Sequence, residues 1–223
     1  MNINKITLIG TSILFLNSCT SIDFNRVAPG YSEALLTIKG AVFGYKNKLI
    51  TKELVNTIPY ASSMLTIGKG SPGLVILESK DEDKETWVSS DGIYIVINKG
   101  RIIKTKGLFN NITDLRFIDI DLEKLSIAKT IEKPIYYYSY DKPELIDMKV
   151  EVQREYKGLE KVNLLNGESE LHLIEEDIKN NFIGWNVTNK YWMDDNSYVW
   201  KSEQYISPKL PKFIIEVTKK PAN

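Results

Sequence analysis

One residue in this sequence is placed for a specific covalent modification: Cys19, the only cysteine in 223 residues. It follows an apolar run over 6–16, ITLIGTSILFL, which suits a signal-peptide core and is too short to cross a bilayer. The segment LNSC over 16–19 has the form of a bacterial lipobox. The pattern predicts acylation of Cys19 with fatty chains such as palmitate, after removal of residues 1–18. The alternative is an ordinary cleaved signal with an incidental cysteine.

Few residues in the sequence are candidates for a catalytic acid or base. His172 is the only histidine, so a Ser-His-Asp triad would need this residue and a metal site with several histidines is excluded. Two acidic pairs, Asp119 with Asp121 and Asp194 with Asp195, could serve a glycosidase-like reaction, but most such clusters are solvated turns. We therefore predict no catalytic residue, no metal site, no cofactor and no enzymatic activity.

Aromatic side chains are the other candidates for binding, because an indole or phenol ring can stack on the apolar face of a sugar. The same rings can instead fill the core of a β domain without disulfides, and the sequence favours that role for each tryptophan taken singly. Side chains on a strand alternate between its two faces, so at most half of the rings in the segment PIYYYSY, over 134–140, can face one groove. The candidate contacts for a glycan or a protein partner are Trp87, Trp192, Trp200 and Tyr137.

Short β-strands must position these residues. Apolar residues at three- and four-residue steps predict an amino-terminal helix through 31–45, and a second short helix at 51–58 is stopped by Pro59. From residue 62 onward the period is two. The predicted strands are 62–68, 73–79, 85–90, 93–98, 101–107, 134–140, 145–158, 160–167, 169–177, a hairpin over 182–207, and 212–217. The segment 108–125 is predicted to be helical or looped.

Turn signals separate the strands. Asp91-Gly92 predicts a tight hairpin, and Asn98-Lys99-Gly100 fits a three-residue loop with a left-handed glycine. The fold class that follows is mainly β: a single sandwich- or barrel-like antiparallel β domain with an amino-terminal helix. Its predicted organisation is a signal peptide over 1–18, a lipidated tether over 19–28 and a β-rich domain over 29–223.

Composition limits the partners. The 29 basic and 29 acidic residues balance, which gives no support for nucleic-acid binding.

Removing the signal leaves 205 residues, enough for a domain with a substantial core. A domain boundary near 141–147 is an alternative to a loop within one domain.

Two motifs carry a recognisable pattern. The first, over 86–108, contains Trp87, the Asp91-Gly92 turn and TKGL at its end; the second, over 191–221, contains Trp192, an acidic turn and Trp200. With 56–70 upstream and the lipobox in front, their order and spacing resemble the YjbF family, the group 4 capsule polysaccharide lipoproteins. The resemblance covers most of the mature chain and brings no established catalytic residues.

The resemblance implies an outer-membrane lipoprotein that acts in secretion or assembly of a capsule or exopolysaccharide. Thr20, in place of an aspartate after the cysteine, resembles a signal for sorting to the outer membrane. We expect a non-enzymatic accessory factor that faces the periplasm. Its expected partners are the membrane through the lipid anchor, and other exopolysaccharide export proteins or the polysaccharide itself. The alternatives are a periplasmic glycan-modifying enzyme using paired carboxylates and a purely structural envelope lipoprotein.

Overall fold

The computed structural model describes residues 50–119, 125–127 and 129–222. The predicted signal peptide, Cys19, the predicted helix over 31–45 and Asp121 lie outside the described residues. The elements are α1 (Lys52–Thr57), β1 (Ser62–Ile67), β2 (Gly73–Asp81), β3 (Lys84–Ser89), β4 (Tyr94–Asn98), β5 (Arg101–Lys106), β6 (Ile112–Phe117), β7 (Ile135–Asp141), β8 (Glu144–Leu164), β9 (Gly167–Asn180), β10 (Trp185–Met193), β11 (Val199–Gln204) and β12 (Phe213–Lys219).

The strands form one antiparallel meander of twelve strands. Strands that are consecutive in sequence pair with each other, except β5 and β6, and β1 also pairs with β12. The spatial order therefore runs from β5 through β1 and β12 to β6. The sheet therefore curls into a nearly closed, barrel-like layer that is open only between β5 and β6. The prediction of a mainly β, barrel-like antiparallel domain is confirmed.

Successive hairpin turns alternate between the two ends of this sheet. The turns after β2, β4, β8 and β10 lie at one end, which we call the upper end, together with the start of β1 and the end of β12. The turns after β1, β3, β5, β7, β9 and β11 lie at the opposite, lower end. Side chains at one end thus come from segments far apart in sequence.

The inward face of the sheet is packed with apolar and aromatic side chains. Alternate residues on every strand point inward, as the period of two in the sequence requires. The inward residues include Trp87, Ile95, Ile112, Tyr138, Trp185, Phe213 and Ile215. The rings of Trp87 and Trp185 are both buried in this core, which agrees with the interpretation of these two tryptophans as core residues.

The opening between β5 and β6 is bridged by side chains. The backbone N–H of Ile112 donates to Oγ1 of Thr105 at 2.9 Å. The backbone N–H of Ile102 donates to Oε1 of Gln204 at 3.0 Å, and Nε2 of Gln204 donates to the carbonyl of Gly100 at 2.9 Å. Gln204 on β11 therefore satisfies backbone groups of the edge strand β5 from across the interior, which removes an edge open to pairing with another chain.

Two segments cover the outer face of the sheet. Helix α1 begins at the Thr51 cap, whose Oγ1 accepts from the N–H of Leu54, and packs Val55 against Leu74 and Ile76. The upper part of the β8–β9 hairpin bends over β10, β11 and β12, and its Leu165 N–H donates to Glu216 at 2.6 Å. In the described part of the chain, no helix has the length and apolarity that a membrane crossing requires.

Two local predictions were wrong. Residues 112–117 form β6 rather than a helix or loop: Ile112 and Leu115 are buried against the core, and the register shift between Ile112 and Asp114 brings both to the same face. The β4–β5 turn has two central residues, Lys99 and Gly100, both with positive φ. At the end of β5, Gly107 has φ +89°, and the Gly92 carbonyl oxygen lies 2.5 Å from where a Cβ would be, so only glycine fits this exit from the strand.

Candidate functional site

A pocket of about 260 Å³ opens at the upper end of the sheet. Inward residues of β1, β3, β4 and β12 form its walls, and the β2–β3, β4–β5 and β10–β11 turns form its rim together with the last residues of the described chain. We call it the mouth pocket. Three aromatic residues line it: Trp87, Tyr198 and Trp200.

The aromatic rings are held by local contacts within β3 and within the β10–β11 turn. The indole N–H of Trp87 donates to Glu85 at 3.2 Å, and that of Trp200 donates to Asp194 at 2.9 Å. The rings of Tyr198 and Trp200 meet edge to face, with centroids 5.3 Å apart. Fixed rings lose little freedom when a ligand binds, so they form a preorganised apolar surface.

Two hydroxyl groups in the mouth pocket have no hydrogen-bond partner among the described residues. They are Oγ of Ser63 and the phenol oxygen of Tyr198, both buried. Buried polar atoms are nearly always hydrogen-bonded, to protein, water or a ligand. These two hydroxyls therefore have hydrogen-bonding capacity that no described protein group uses.

Charged residues of both signs surround the aromatic rings. Lys80, Lys99, Lys201 and Lys220 line the pocket with Glu82, Asp83 and Glu85. Only Lys99 forms an ion pair among the described residues, to Asp83 at 3.0 Å. Nζ of Lys220 lies 4.1 Å from the centroid of the Tyr198 ring. This geometry is a cation–π contact that holds the ammonium group at the pocket surface.

Glu85 is the least exposed of the three carboxylates named above. Burial raises its pKa above the ordinary value, and the hydrogen bond from Trp87 and the charges of Lys80 and Lys220 offset this only in part. Burial also raises the pKa of the Tyr198 phenol, and the charges of Glu85 and Asp194 add to the effect. The Tyr198 hydroxyl therefore stays protonated and can donate.

A buried ionic cluster lies in the interior beside the pocket. Oε1 of Glu176 accepts from Arg101 at 2.6 Å, from Arg154 at 2.9 Å and from the Tyr136 hydroxyl at 2.6 Å. Arg154 also pairs with Glu132 at 2.7 Å. Arg101 directly follows the pocket residues on the β4–β5 turn, so the cluster ties this rim to β7, β8 and β9.

Burial alone would raise the pKa of Glu176, but the charges of Arg101 and Arg154 outweigh it and lower that pKa. The carboxylate is fully buried and ionised, and its two arginine partners are each 2% exposed. Such a cluster fixes the relative positions of strands that are not neighbours in the sheet, since each charge must keep its partners.

The structure brings together two of the four aromatic candidates. Trp87 and Trp200 line the mouth pocket. Trp192 lies on the outer face under the β8–β9 hairpin, where its indole N–H donates to Glu160 at 2.7 Å. Tyr137 is half-buried on the outer face of β7, beside the guanidinium of Arg116.

The acidic candidates and the histidine have local partners. Both carboxylate oxygens of Asp194 hold the β10–β11 turn, accepting from the backbone of Asn196 and Tyr198 and from the Trp200 indole. Asp195 is exposed and lies 2.8 Å from Nε2 of His172. Asp194 is therefore committed to turn structure and is not paired with Asp195 across a cleft.

Several pocket residues escaped the sequence analysis. Ser63 belongs to an ordinary strand pattern, and nothing in its neighbours marks it as a pocket residue. Tyr198 and Lys220 do fall inside the second motif, so the motif contained them without showing their role. Arg101 and Arg154 had a clearer signal, since each is a charged residue at an inward position of an alternating strand.

Comparison with known proteins gives consistent matches. The sequence profile of the family described as group 4 capsule polysaccharide lipoprotein gfcB, YjbF matches residues 36–218. The lipoprotein YjbF of Escherichia coli K12 is 21% identical over 169 residues, covering 74% of this chain and 78% of that protein. The lipoprotein GfcB of the same organism is 24% identical over 102 residues, covering 46% of this chain and 44% of that protein.

One solved structure supports the fold. The crystal structure of the hypothetical lipoprotein YmcC from Escherichia coli K12 superposes with a TM-score of 0.65 at 18% sequence identity. The superposition covers 85% of this chain and 96% of that one. The shared architecture therefore extends over nearly all of the described sheet.

Proposed function

Because the chain belongs to the YjbF family of group 4 capsule polysaccharide lipoproteins, we propose that it is an accessory factor in secretion or assembly of a capsule or exopolysaccharide. It binds the polymer itself in the mouth pocket. The observation that carries this proposal is the combination in one pocket of fixed aromatic rings with two hydroxyl groups that lack partners among the described residues.

The pocket chemistry fits a sugar. A pyranose ring has an apolar face that packs on an aromatic ring and a rim of hydroxyl groups that need hydrogen bonds. The half-buried rings of Tyr198 and Trp200 supply the first, and the polar residues of the pocket rim supply partners for the second. Lys80, Lys201 and Lys220, which have no ion pair among the described residues, add sites for acidic substituents of the polymer.

The protein acts from a membrane surface in this proposal. Acyl chains on Cys19 hold it on the periplasmic face of the outer membrane, where an exported polymer passes before it reaches the cell surface. More than one acyl chain is needed for stable anchoring, which an acylated lipoprotein cysteine provides. Other proteins of polysaccharide export are the expected neighbours.

We propose a non-enzymatic role. The support comes from Asp194, whose two oxygens are occupied by the turn that they hold, and from Asp195, which points to His172 rather than to a second carboxylate. The pocket would therefore guide or retain the polymer.

The test is a binding measurement with purified capsular or exopolysaccharide of the source strain. Replacing Tyr198 and Lys220 together by alanine removes one cation–π pair from the pocket. Two lost contacts, each worth on the order of 1 kcal/mol, weaken polymer binding about tenfold or more. The matched control replaces Tyr137 and Arg116, a cation–π pair on the outer wall, and leaves binding unchanged.

The same variants are then returned to a strain that lacks the gene. The pocket variant restores surface polymer poorly, whereas the control variant restores it fully. Equal binding by both variants would overturn the pocket as a polymer site. Normal surface polymer in the strain without the protein, with a fragile envelope, would instead indicate a purely structural lipoprotein.

A further inference from the structure

The three turns on the rim of the mouth pocket are joined by direct contacts. Lys99 on the β4–β5 turn pairs with Asp83 on the β2–β3 turn at 3.0 Å. The next residue, Gly100, packs against Val199 at the start of β11, so closely that a Cβ at Gly100 would overlap the valine side chain. The β4–β5 turn therefore contacts the β2–β3 turn on one side and the β10–β11 turn on the other.

The rest of the rim is closed by the end of β12 and by the sheet itself. Lys220 directly follows β12, and its Nζ lies 4.1 Å from the centroid of the Tyr198 ring on the β10–β11 turn. Strand β12 pairs with β1, and β1 pairs with β2, so a continuous ladder leads back to the β2–β3 turn. The rim is thus a ring of contacts around the pocket.

The floor of the mouth pocket consists of buried side chains. Trp87 and Ser63 are each 1% exposed and Ser202 is 2% exposed, and all three line the pocket. Ile97 and Ile215 also line it, and both belong with Trp87 to the main hydrophobic core. In the described part of the chain, ring and floor leave the pocket one entrance, at the upper end.

The volume of the pocket limits the size of its ligand. Drug-sized ligands, which compare with two or three linked sugars, occupy pockets of about 300–1,000 Å³. The mouth pocket, at about 260 Å³, lies below this range. It therefore has room for about one sugar residue.

We propose that the mouth pocket takes up a terminal sugar residue of the polymer. A residue within a polysaccharide is linked on two sides, so an internal segment must enter its site and leave it again, as it does in an open groove. A terminal residue is linked on one side only and fits a pocket with one entrance. The half-buried rings of Tyr198 and Trp200 form a wall on which its apolar face can pack.

This inference rests on the proposed polysaccharide role and narrows it to one class of ligand. The terminal residue can come from two sources, the end of the main chain or the end of a side branch. Both present the same chemistry to the pocket, a sugar ring with a single glycosidic linkage. The dependence of binding on chain length distinguishes the two sources, because main-chain ends become rarer per gram as chains lengthen and branch ends do not.

The experiment measures that dependence with the full chain. Native polysaccharide of the source strain is separated by size into short, medium and long chains, which all carry the same ends. Each fraction is titrated into the protein by isothermal titration calorimetry. The methyl glycoside of each constituent sugar, which is a single residue linked on one side, is then added as a competitor.

We expect one of the methyl glycosides to displace every fraction. If the pocket holds a main-chain end, chains that are tenfold shorter reach half-saturation at about one-tenth of the mass concentration, since affinity per chain is unchanged. If it holds a branch end, half-saturation comes at the same mass concentration in all fractions. In either case the pocket variant, with Tyr198→Ala and Lys220→Ala, binds the glycoside about tenfold or more weakly, and the control variant binds it as the parent does.

Two results would overturn the terminal residue while leaving the polysaccharide role intact. The first is binding of the polymer that no methyl glycoside displaces, with an affinity at equal mass that is constant or rises with chain length, as an internal segment would give. The second is a glycoside that binds the pocket variant as tightly as the parent. Failure of every fraction to bind would instead overturn the polysaccharide role, and this inference with it.

Discussion

Glu176 accepts hydrogen bonds from Arg101, Arg154 and Tyr136 through one carboxylate oxygen, in an interior that is otherwise mostly apolar and aromatic. Removing one member of a buried ionic group is costly because the partners stay charged and lose their compensation. The sequence analysis did not single out these residues, although Arg101, Arg154 and Glu176 are charged residues at inward positions of their strands. Which of them meet was decided by the curvature of the sheet, which brings β5 close to β9.

Glu176→Gln is expected to lower the free energy of unfolding by about 3–5 kcal/mol at neutral pH, since both arginines lose their main counter-charge. Urea denaturation measures this loss. Glu170→Gln, the same change at an exposed position of β9, is the control and is expected to have little effect. A loss no larger than that of the control would contradict a stabilising role for the buried carboxylate.

The effect of Glu176→Gln should also depend on pH. The folded pKa of Glu176 lies below its ordinary value, so its stabilising contribution is complete above the unfolded glutamate pKa of about 4.3. The contribution is lost as the pH falls through the folded pKa, because a protonated glutamic acid resembles glutamine. Denaturation at a series of pH values should show the difference between the two proteins shrinking in acid; a constant difference would exclude this explanation.

Among the elements, β5 and β6 are consecutive strands that form no ladder of backbone hydrogen bonds with each other. Gln204 satisfies two backbone groups of β5 from β11, and Thr105 on β5 accepts from the backbone of Ile112 on β6. The sequence predicted β5 with nearly correct bounds but missed β6, since its ITDLRF pattern is short and half polar. Burial of Ile112 and Leu115 against the finished core decided its strand conformation.

Gln204→Leu is expected to destabilise the opening between β5 and β6. The variant keeps the side-chain volume but leaves the Ile102 N–H and the Gly100 carbonyl without their partner, at a cost on the order of 1–3 kcal/mol for each group. Amide hydrogen exchange at Ile102 should become faster. The control, Gln153→Leu, makes the same change at an exposed position of β8, and comparable exchange in the two variants would show that Gln204 does not protect this edge.

For the whole molecule, the two ends of the sheet have different chemistry. The upper end carries the mouth pocket with its aromatic rings and charges of both signs, and the lower end carries exposed apolar turn residues such as Phe109 and Phe182. Turns at one end come from segments that are distant in sequence, so neither surface could be assembled from any single stretch.

The anchor itself is testable on the intact protein. Mass spectrometry of the native protein from the envelope fraction should show a chain that begins at Cys19 and carries acyl groups, because the lipobox directs cleavage before that residue. Cys19→Ser should lack the acyl mass. Ser18→Ala, which keeps a small residue before the cysteine, should retain it. An unmodified amino terminus, or a start elsewhere, would remove the basis for the proposed location.

The sequence by itself determined what depends on local pattern. The turn at Asp91-Gly92 and the period of two could be predicted, because each rests on neighbouring residues, and the order of motifs placed the chain in its family. Lipidation of Cys19 stays a prediction. Only the tertiary structure decided that Trp87 and Trp200 share a pocket while Trp192 and Tyr137 do not. Closure of the meander fixes which side chains meet across the interior, and it depends on the packing of all twelve strands at once.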